Sequence, residues 1–485
     1  MDIRLKDLPE VDSVCDVLIL PAFEGEINKN ILPHNISQII EKNYNLFKGK
    51  HSELLLIPST NYIKPKSILM TGLGKKSEIN LEKIRQAGGK CLTFLKGKNV
   101  KTVAISSRLF SDINISPSYF IEGILLSNYR FKKYKRQYEN EEDINIEDLI
   151  LLSKYSRELN NELYYIKILT SAVHFTRDLV NTPANDMTPK KLSDVAKSLS
   201  KNNISVKVME KGECDKLGLN LFLSVSRGSK EQPKFIVLHY KGKNTPPLIL
   251  IGKSITFDSG GISLKPSDGM DKMKYDMAGG AAVLGIFKAV SELNLPINLI
   301  GILPATENLP GGSATRPGDI VTSLDGKTVE IENTDAEGRL TLADAISYAK
   351  RFKPKAIIDI ATLTGACSVA LGNEAIAMMG NDRDLIERLK RSGEETHERT
   401  WEMPLFNEYK EYIKSDTADL KNTGGRTGSL VTSGYFLYEF AEKTPWVHLD
   451  IASTAWVDKD KPYIPKGATG IGVRLILNFL KELEC

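Results

Sequence analysis

Short aliphatic runs alternate with longer stretches of helical spacing along almost the whole chain, and this alternation restricts the fold to layered α/β domains with buried strands. In the first part the runs fall at 17–20, 54–57, 67–70 and 102–105, with a helical stretch at 81–95 among them. In the second part strands are expected at 235–239, 248–251, 298–303, 356–360 and 448–451, and helices at 279–293, 341–351 and 432–442, the pattern of a second, doubly wound domain. Between the two parts lie a charged, asparagine-rich stretch at 137–145, read as a solvated link, and a long helical pattern from about 156 to 180. That helix is expected to stop at Asn181-Thr182-Pro183-Ala184-Asn185, because Pro183 disfavours helical geometry in the residue before it. A chain of 485 residues has room for two such domains, placed at 1–150 and 165–485 with the 156–180 helix linking them.

Charge and cysteine usage remove several functional classes. The 65 Lys and Arg exceed the 61 Asp and Glu by only +4, too little to demand a nucleic acid or an anionic membrane as partner. One local stretch, Tyr129 to Lys135, interleaves aromatics with cations as nucleic-acid surfaces do, but the snorkelling side chains of an amphipathic helix end read the same way. The five cysteines, Cys15, Cys91, Cys214, Cys367 and Cys485, are scattered and form no CxxC pair. That argues against a disulfide framework or a thiolate zinc site and for a reducing compartment. The acidic start, Met1 to Asp7, lacks the shape of a signal peptide, and no apolar run approaches the roughly twenty residues that span a bilayer. A cytoplasmic location is therefore expected.

Three segments carry the candidate chemistry: GKSITFDSGG from Gly252 to Gly261, running on to Leu264-Lys265-Pro266; MKYDMAGG from Met273 to Gly280; and NTDAEGRL from Asn333 to Leu340. In the third, Asp335 and Glu337 are one residue apart, so an extended backbone would send both carboxylates to one face; an acidic surface turn is the ordinary alternative. Asp258 follows an apolar strand and precedes a glycine turn through which backbone can approach a ligand closely. Asp276 stands just before a small-residue helix start. Four convergent carboxylates repel unless cations neutralise them, and their oxygens suit zinc, manganese or magnesium, including a two-ion hydrolytic centre. Lys253 reads either as a salt-bridge partner or as a metal ligand through a neutral amine. Lys265 reads either as a solvated loop charge or as a cation that polarises a substrate carbonyl. Arg339 offers a bidentate fork suited to an oxyanion.

Competing motifs fail on particular residues. Gly252-Lys253-Ser254 looks like the end of a phosphate-binding loop, but Pro247 stands where that pattern needs its first glycine. There is no HExxH and no GxSxG. The histidines, His34, His51, His174, His239, His397 and His448, are scattered without helical ligand spacing, so any metal must be held chiefly by oxygen.

These segments, together with ATLTGA from Ala361 to Ala366, resemble in order the active-site segments of the leucine aminopeptidase (cytosol aminopeptidase) family. The resemblance runs from about Arg177 to the carboxyl terminus, and the amino-terminal part resembles the family only in length and α/β pattern. It implies a smaller mixed α/β amino-terminal domain and a larger α/β catalytic domain with a central, mostly parallel sheet flanked by helices. It also implies a metal-dependent aminopeptidase with two divalent cations per subunit, zinc or manganese and otherwise magnesium or cobalt. One ion would take Asp258, Asp335 and Glu337, and the other Lys253, Asp258, Asp276 and Glu337. Lys265 would bind the substrate carbonyl, and Arg339, with Leu340 beside it, would hold a bicarbonate serving as general base. A water bridging the cations would attack, and the substrate's free amine, ligating one ion, would confine cleavage to the first residue. Leu363 and Gly365 would position the substrate backbone. Met273, Thr362, Gly365, Ala452 and Ala455 would line a pocket for Leu-like and Met-like side chains, in peptides turned over inside the cell by a homohexamer. Two other readings stay open, an additional DNA-binding role and a narrower Cys-Gly dipeptidase.

Overall fold

The computed structural model describes residues 1–26, 47–59, 63–136, 146–201 and 203–483. The 137–145 stretch read as a link lies outside them, as do His34 and Cys485. The chain divides into two compact units, 1–170 with 459–466, and 171–458 with 467–485.

The first unit is built on a six-stranded sheet of β1 (Asp2–Lys6), β2 (Val17–Ala22), β3 (Leu54–Pro58), β4 (Ser67–Gly72), β5 (Thr102–Ser106) and β6 (Asp148–Leu152), in the order β1-β6-β5-β2-β4-β3. Every pairing is parallel except β3 on β4. Side chains alternate across the sheet, as the period of a strand requires. Val17 and Ile19 pack with Ile84 and Phe120 from the helices Leu81–Leu95 and Ser118–Ser127, whereas Leu18 and Leu20 pack with Met70 and Ile150.

The second unit carries a nine-stranded mixed sheet of β7 (Ile204–Met209), β8 (Lys234–Lys241), β9 (Leu248–Gly252), β10 (Ser254–Asp258), β11 (Asn298–Asn308), β14 (Ala356–Ala361), β15 (Ile376–Gly380), β16 (Thr400–Glu402) and β18 (Trp446–Asp450). Its centre is parallel: β18, β14, β9 and β11 run side by side, and β10 pairs with the far half of β11. Antiparallel pairing enters on the flanks, β8 on β11, β7 on β8 and β15 on β18. A small sheet of β12 (Asp319–Thr322), β13 (Thr328–Ile331) and β17 (Leu420–Lys421) stands beside the segment that holds Asp335 and Glu337. The helices Ala278–Leu293 and Gly338–Ala349 both pack on β9, β11 and β14. Among the described residues no helix is long and apolar enough to cross a membrane.

The start of the helix Ala278–Leu293 lies unusually close to the sheet, because Gly279 and Gly280 have no side chain to hold it off. A Cβ on Gly279 would meet the carbonyl oxygen of Ile360 at 1.9 Å, and one on Gly252 would meet the Gly280 Cα at 2.5 Å. Gly279→Ala should therefore lower the stability of the second unit by roughly 2–3 kcal/mol in denaturant unfolding, as overpacking does. Gly212→Ala, in the helix Lys211–Leu217 where a Cβ meets nothing within 4 Å, should leave it unchanged or slightly raised.

Candidate metal centre

Strand ends and helix starts in the second unit supply the charged groups. Lys253 joins β9 to β10, Asp258 closes β10, and Asp276 follows the 3-10 turn Met270–Tyr275 just ahead of the helix Ala278–Leu293. Asp335 and Glu337 lie between β13 and the helix Gly338–Ala349, with Glu337 at its N-cap, where the helix dipole favours an anion. Gly260 and Gly261, with φ of 90° and 69°, turn the chain back after Asp258. That turn is latched by Thr334, whose hydroxyl donates to the Gly260 carbonyl at 2.7 Å.

These side chains form one cage. Lys253 Nζ donates to Asp276 Oδ1 (2.8 Å) and to the Thr362 carbonyl (3.0 Å), and lies 2.9 Å from Glu337 Oε1. Lys265 Nζ pairs with Asp258 Oδ2 at 2.7 Å and with Asp335 Oδ1. Asp258, Asp335 and Glu337 each offer an oxygen within 4.8 Å of the others, close enough to grip one ion. The extended backbone expected for Asp335 and Glu337 is not what forms: Asn333 Oδ1 accepts the Asp335 N–H (2.9 Å) and closes a turn. Turn and helix start together bring the two carboxylates to the same side.

Electrostatics follow from burial and these contacts. Burial, then the charge of Glu337, pushes Asp258 up to about 6, and burial likewise raises Asp276 and Asp335 above the usual carboxylate range. Burial alone would raise Glu337 too, but Lys253 and Lys265 outweigh it and hold it low. Burial would lower both lysines, yet the surrounding carboxylates dominate and raise them. Four carboxylates against two ammonium groups leave two negative charges unanswered. Glu337 Oε2 is buried and accepts no hydrogen bond among the described residues, whereas Asp276 Oδ2 lies 2.8 Å from Lys253 Nζ and Asp335 Oδ1 is the oxygen that meets Lys265. A bare oxygen on Glu337, close-set carboxylates and surplus negative charge fit divalent cations.

Arg339 is buried; one terminal nitrogen donates to the Asn422 carbonyl at 2.8 Å, and Nε has no partner among the described residues. Burial lowers its pKa to about 10. The Leu340 N–H is taken by the Glu337 carbonyl (2.9 Å) and its side chain is buried. On the other rim of the cage, Thr362 donates its hydroxyl to Asp276 Oδ1 (2.7 Å), and Leu363 and Gly365 follow it at the end of β14. Met273 is half-buried one turn before Asp276, Gly365 is exposed with open space where a Cβ would stand, and Ala452 is half-buried. Ala455 is 1% exposed, its N–H bonded to the Ile451 carbonyl.

Sequence reading passed over two asparagines. Asn308, at the end of β11, donates through Nδ2 to Asp258 Oδ1 (2.8 Å) and to the Thr334 carbonyl (3.0 Å). Asn422, after β17, donates to the Asn333 carbonyl (2.7 Å) and accepts the Glu332 N–H (2.9 Å), which fixes the Asp335 turn and Arg339 together. Their only sequence signal is a polar residue at a strand end.

Fold and site together define a metal-dependent hydrolase built from two α/β units. The sequence model of the cytosol aminopeptidase family's catalytic domain matches residues 174–477, and that of the same family's N-terminal domain matches 27–138. The chain belongs to the cytosol aminopeptidase family and is an aminopeptidase, and the likeness extends ahead of Arg177 into the amino-terminal part. It is 43% identical over 486 residues to a probable cytosol aminopeptidase of Geotalea uraniireducens, covering 97% of each chain. It is 45% identical over 441 residues to one of Geobacter sp. strain M21, covering 90% of each. Among solved structures it resembles a tomato leucine aminopeptidase mutant (TM-score 0.88, 31% identity, 99% of this chain and 96% of that one). It also resembles the bottromycin maturation enzyme BotP in complex with Mn (TM-score 0.87, 30% identity, 97% and 100%).

Because Asn308 orients Asp258 without belonging to the acid cluster, Asn308→Ala should weaken Mn2+ binding about tenfold or more in titration calorimetry while the fold is kept.

Proposed function

We propose that the chain removes the first residue, chiefly Leu, Met and other apolar residues, from peptides inside the cell, with two divalent cations held by Lys253, Asp258, Asp276, Asp335 and Glu337. The observation that carries this reading is the convergence of Asp258, Asp335 and Glu337 oxygens within 4.8 Å of one another, in a cage where two lysines are shared among four carboxylates. When bound, the cations supply an activated water at neutral pH and polarise the scissile carbonyl. The two lysines divide the remaining work by exposure. Lys253, with 3% of its side chain exposed, holds the cage together; Lys265, at 21%, is the one that reaches substrate and donates to the oxyanion developing on the carbonyl. Arg339, with an uncommitted Nε, is suited to an anion such as bicarbonate as the base for the attacking water.

Met273, Thr362, Gly365, Ala452 and Ala455 are assigned to the side-chain pocket and Leu363 to the substrate backbone. A lining of this kind discriminates weakly between aliphatic shapes, by about one to two powers of ten. Assembly as a homohexamer in the cytoplasm is carried over from the resemblance.

Purified protein should hydrolyse a chromogenic Leu amide, lose that activity on chelation and regain it with zinc or manganese. Glu337→Ala should lower kcat by about a thousandfold or more, and undiminished turnover in either arm would remove the metal mechanism. Arg339→Ala should slow turnover by roughly 10²-fold or more at unchanged metal content, measured by elemental analysis; loss of the metals instead would show that its role is structural.

A further inference from the structure

Asp450 ends β18, is fully buried, and contributes to neither lysine contact of the cage. Its Oδ1 accepts the backbone N–H of Leu363 and that of Ala452, each at 3.1 Å, and its Oδ2 accepts the Thr364 hydroxyl at 2.7 Å. Leu363 and Thr364 follow β14; Ala452 follows β18. One carboxylate thus ties together the two segments that carry all of the proposed side-chain pocket except Met273.

The ties reach further on both sides. β14 and β18 are parallel neighbours with Ala361 opposite Asp450, so both segments leave the sheet at one level. Thr364 also caps the helix Gly365–Leu371 by accepting the Cys367 N–H at 3.2 Å, which carries the tie on to Gly365. Behind Asp450, Asp359 stands opposite His448: its Oδ1 meets His448 Nδ1 at 2.5 Å, and its Oδ2 accepts the Trp446 indole N–H at 2.7 Å. This pair locks the two strands and leaves Asp450 little freedom. Ahead of it, the Thr362 carbonyl accepts from Lys253, so the clamped segment begins at the cage itself.

We propose that Asp450 is a positioning residue that sets the separation between the Thr362–Gly365 and Ala452–Ala455 segments, and through it the grip on the substrate's first side chain. The inference rests on the reading of that pocket given above. A short buried tie acts on the geometry of the pocket and not on the cations, so its loss is felt in substrate binding.

Asp450→Asn keeps the shape but presents an amide where a carboxylate accepted three donors. Thr364→Val removes one tie, and Thr364→Ser restores its hydroxyl. With the full-length Mn2+-loaded protein and Leu amide, Asp450→Asn and Thr364→Val should raise KM about tenfold, with kcat within about threefold and manganese content unchanged. Thr364→Ser should return KM to within about twofold of the starting protein. An unmoved KM, with losses confined to kcat, metal content or folded yield, would overturn the clamp and leave Asp450 purely structural. If Asp450→Asn fails to fold, the Thr364 pair decides alone. A starting protein that hydrolyses no aminoacyl amide overturns the pocket reading and the clamp with it; an active one with unmoved KM in the variants overturns only the clamp.

Discussion

Burying several carboxylates side by side is the constraint on which the rest of the second unit depends. Asp258, Asp335 and Glu337 place oxygens within 4.8 Å of one another, and at an effective dielectric near 20 each such pair of charges repels by roughly 3 kcal/mol. Three pairs amount to roughly 10 kcal/mol, as much as the whole stability of an ordinary domain. Left unrelieved, that repulsion would rival the folding energy, so the cage needs positive charge or protons among its acids. Lys253 and Lys265 answer half of the charge of the four acids, and the helix start at Glu337 answers a little more. What remains is an unmet demand for positive charge, which divalent ions satisfy.

The backbone has to be shaped to make that concentration of charge possible. A Cβ at Gly338 would stand 2.4 Å from Lys253 Cε, so the ammonium reaches Glu337 only because the next residue has no side chain. Asn308 and Asn422 then hold the turns from outside, each joining a strand end to the loop that bears an acid. Precision at the cage is thus bought by neutral polar groups and missing side chains, not by further charges.

Much of this was legible in the sequence because burial on both faces of a parallel strand leaves an unmistakable aliphatic run. The stretches at 248–251 and 356–360 became β9 and β14 nearly residue for residue, and Lys253 and Asp258 were recognisable as charges at the ends of such runs. Strands lacking that pattern were passed over, and so was β6 (DLILL), although it carries such a run. β1 (DIRLK) and β7 (ISVKVM) alternate between exposed and covered residues, and β16 is three residues long, so none produces a continuous run. Asp335 and Glu337 were found by their spacing, although the turn that unites them differs from the extended backbone that spacing suggested. Asn308, Asn422 and Asp450 act chiefly through partners 26 to 90 residues away in the chain, and no local pattern reports such distances.

Buried carboxylates in this unit fall into two kinds, and the difference separates scaffold from ion site without appeal to any relative. Asp344 accepts the N–H groups of Phe222 and Leu324, Glu398 those of Gly472 and Leu475, and Asp450 those of Leu363 and Ala452. In each case backbone N–H groups answer the hydrogen bonds lost from solvent, although burial still pushes Asp344 up to about 7 and raises Asp450. The cage acids instead face one another: Asp258, Asp335 and Glu337 bring oxygens within 4.8 Å, two ammonium groups are shared among four carboxylates, and Glu337 keeps an oxygen, Oε2, that accepts no hydrogen bond among the described residues. A fold gains nothing from such an oxygen. A further cation would complete the arrangement, so the sharing of too few donors among neighbouring acids, more than their number, marks where the chemistry lies.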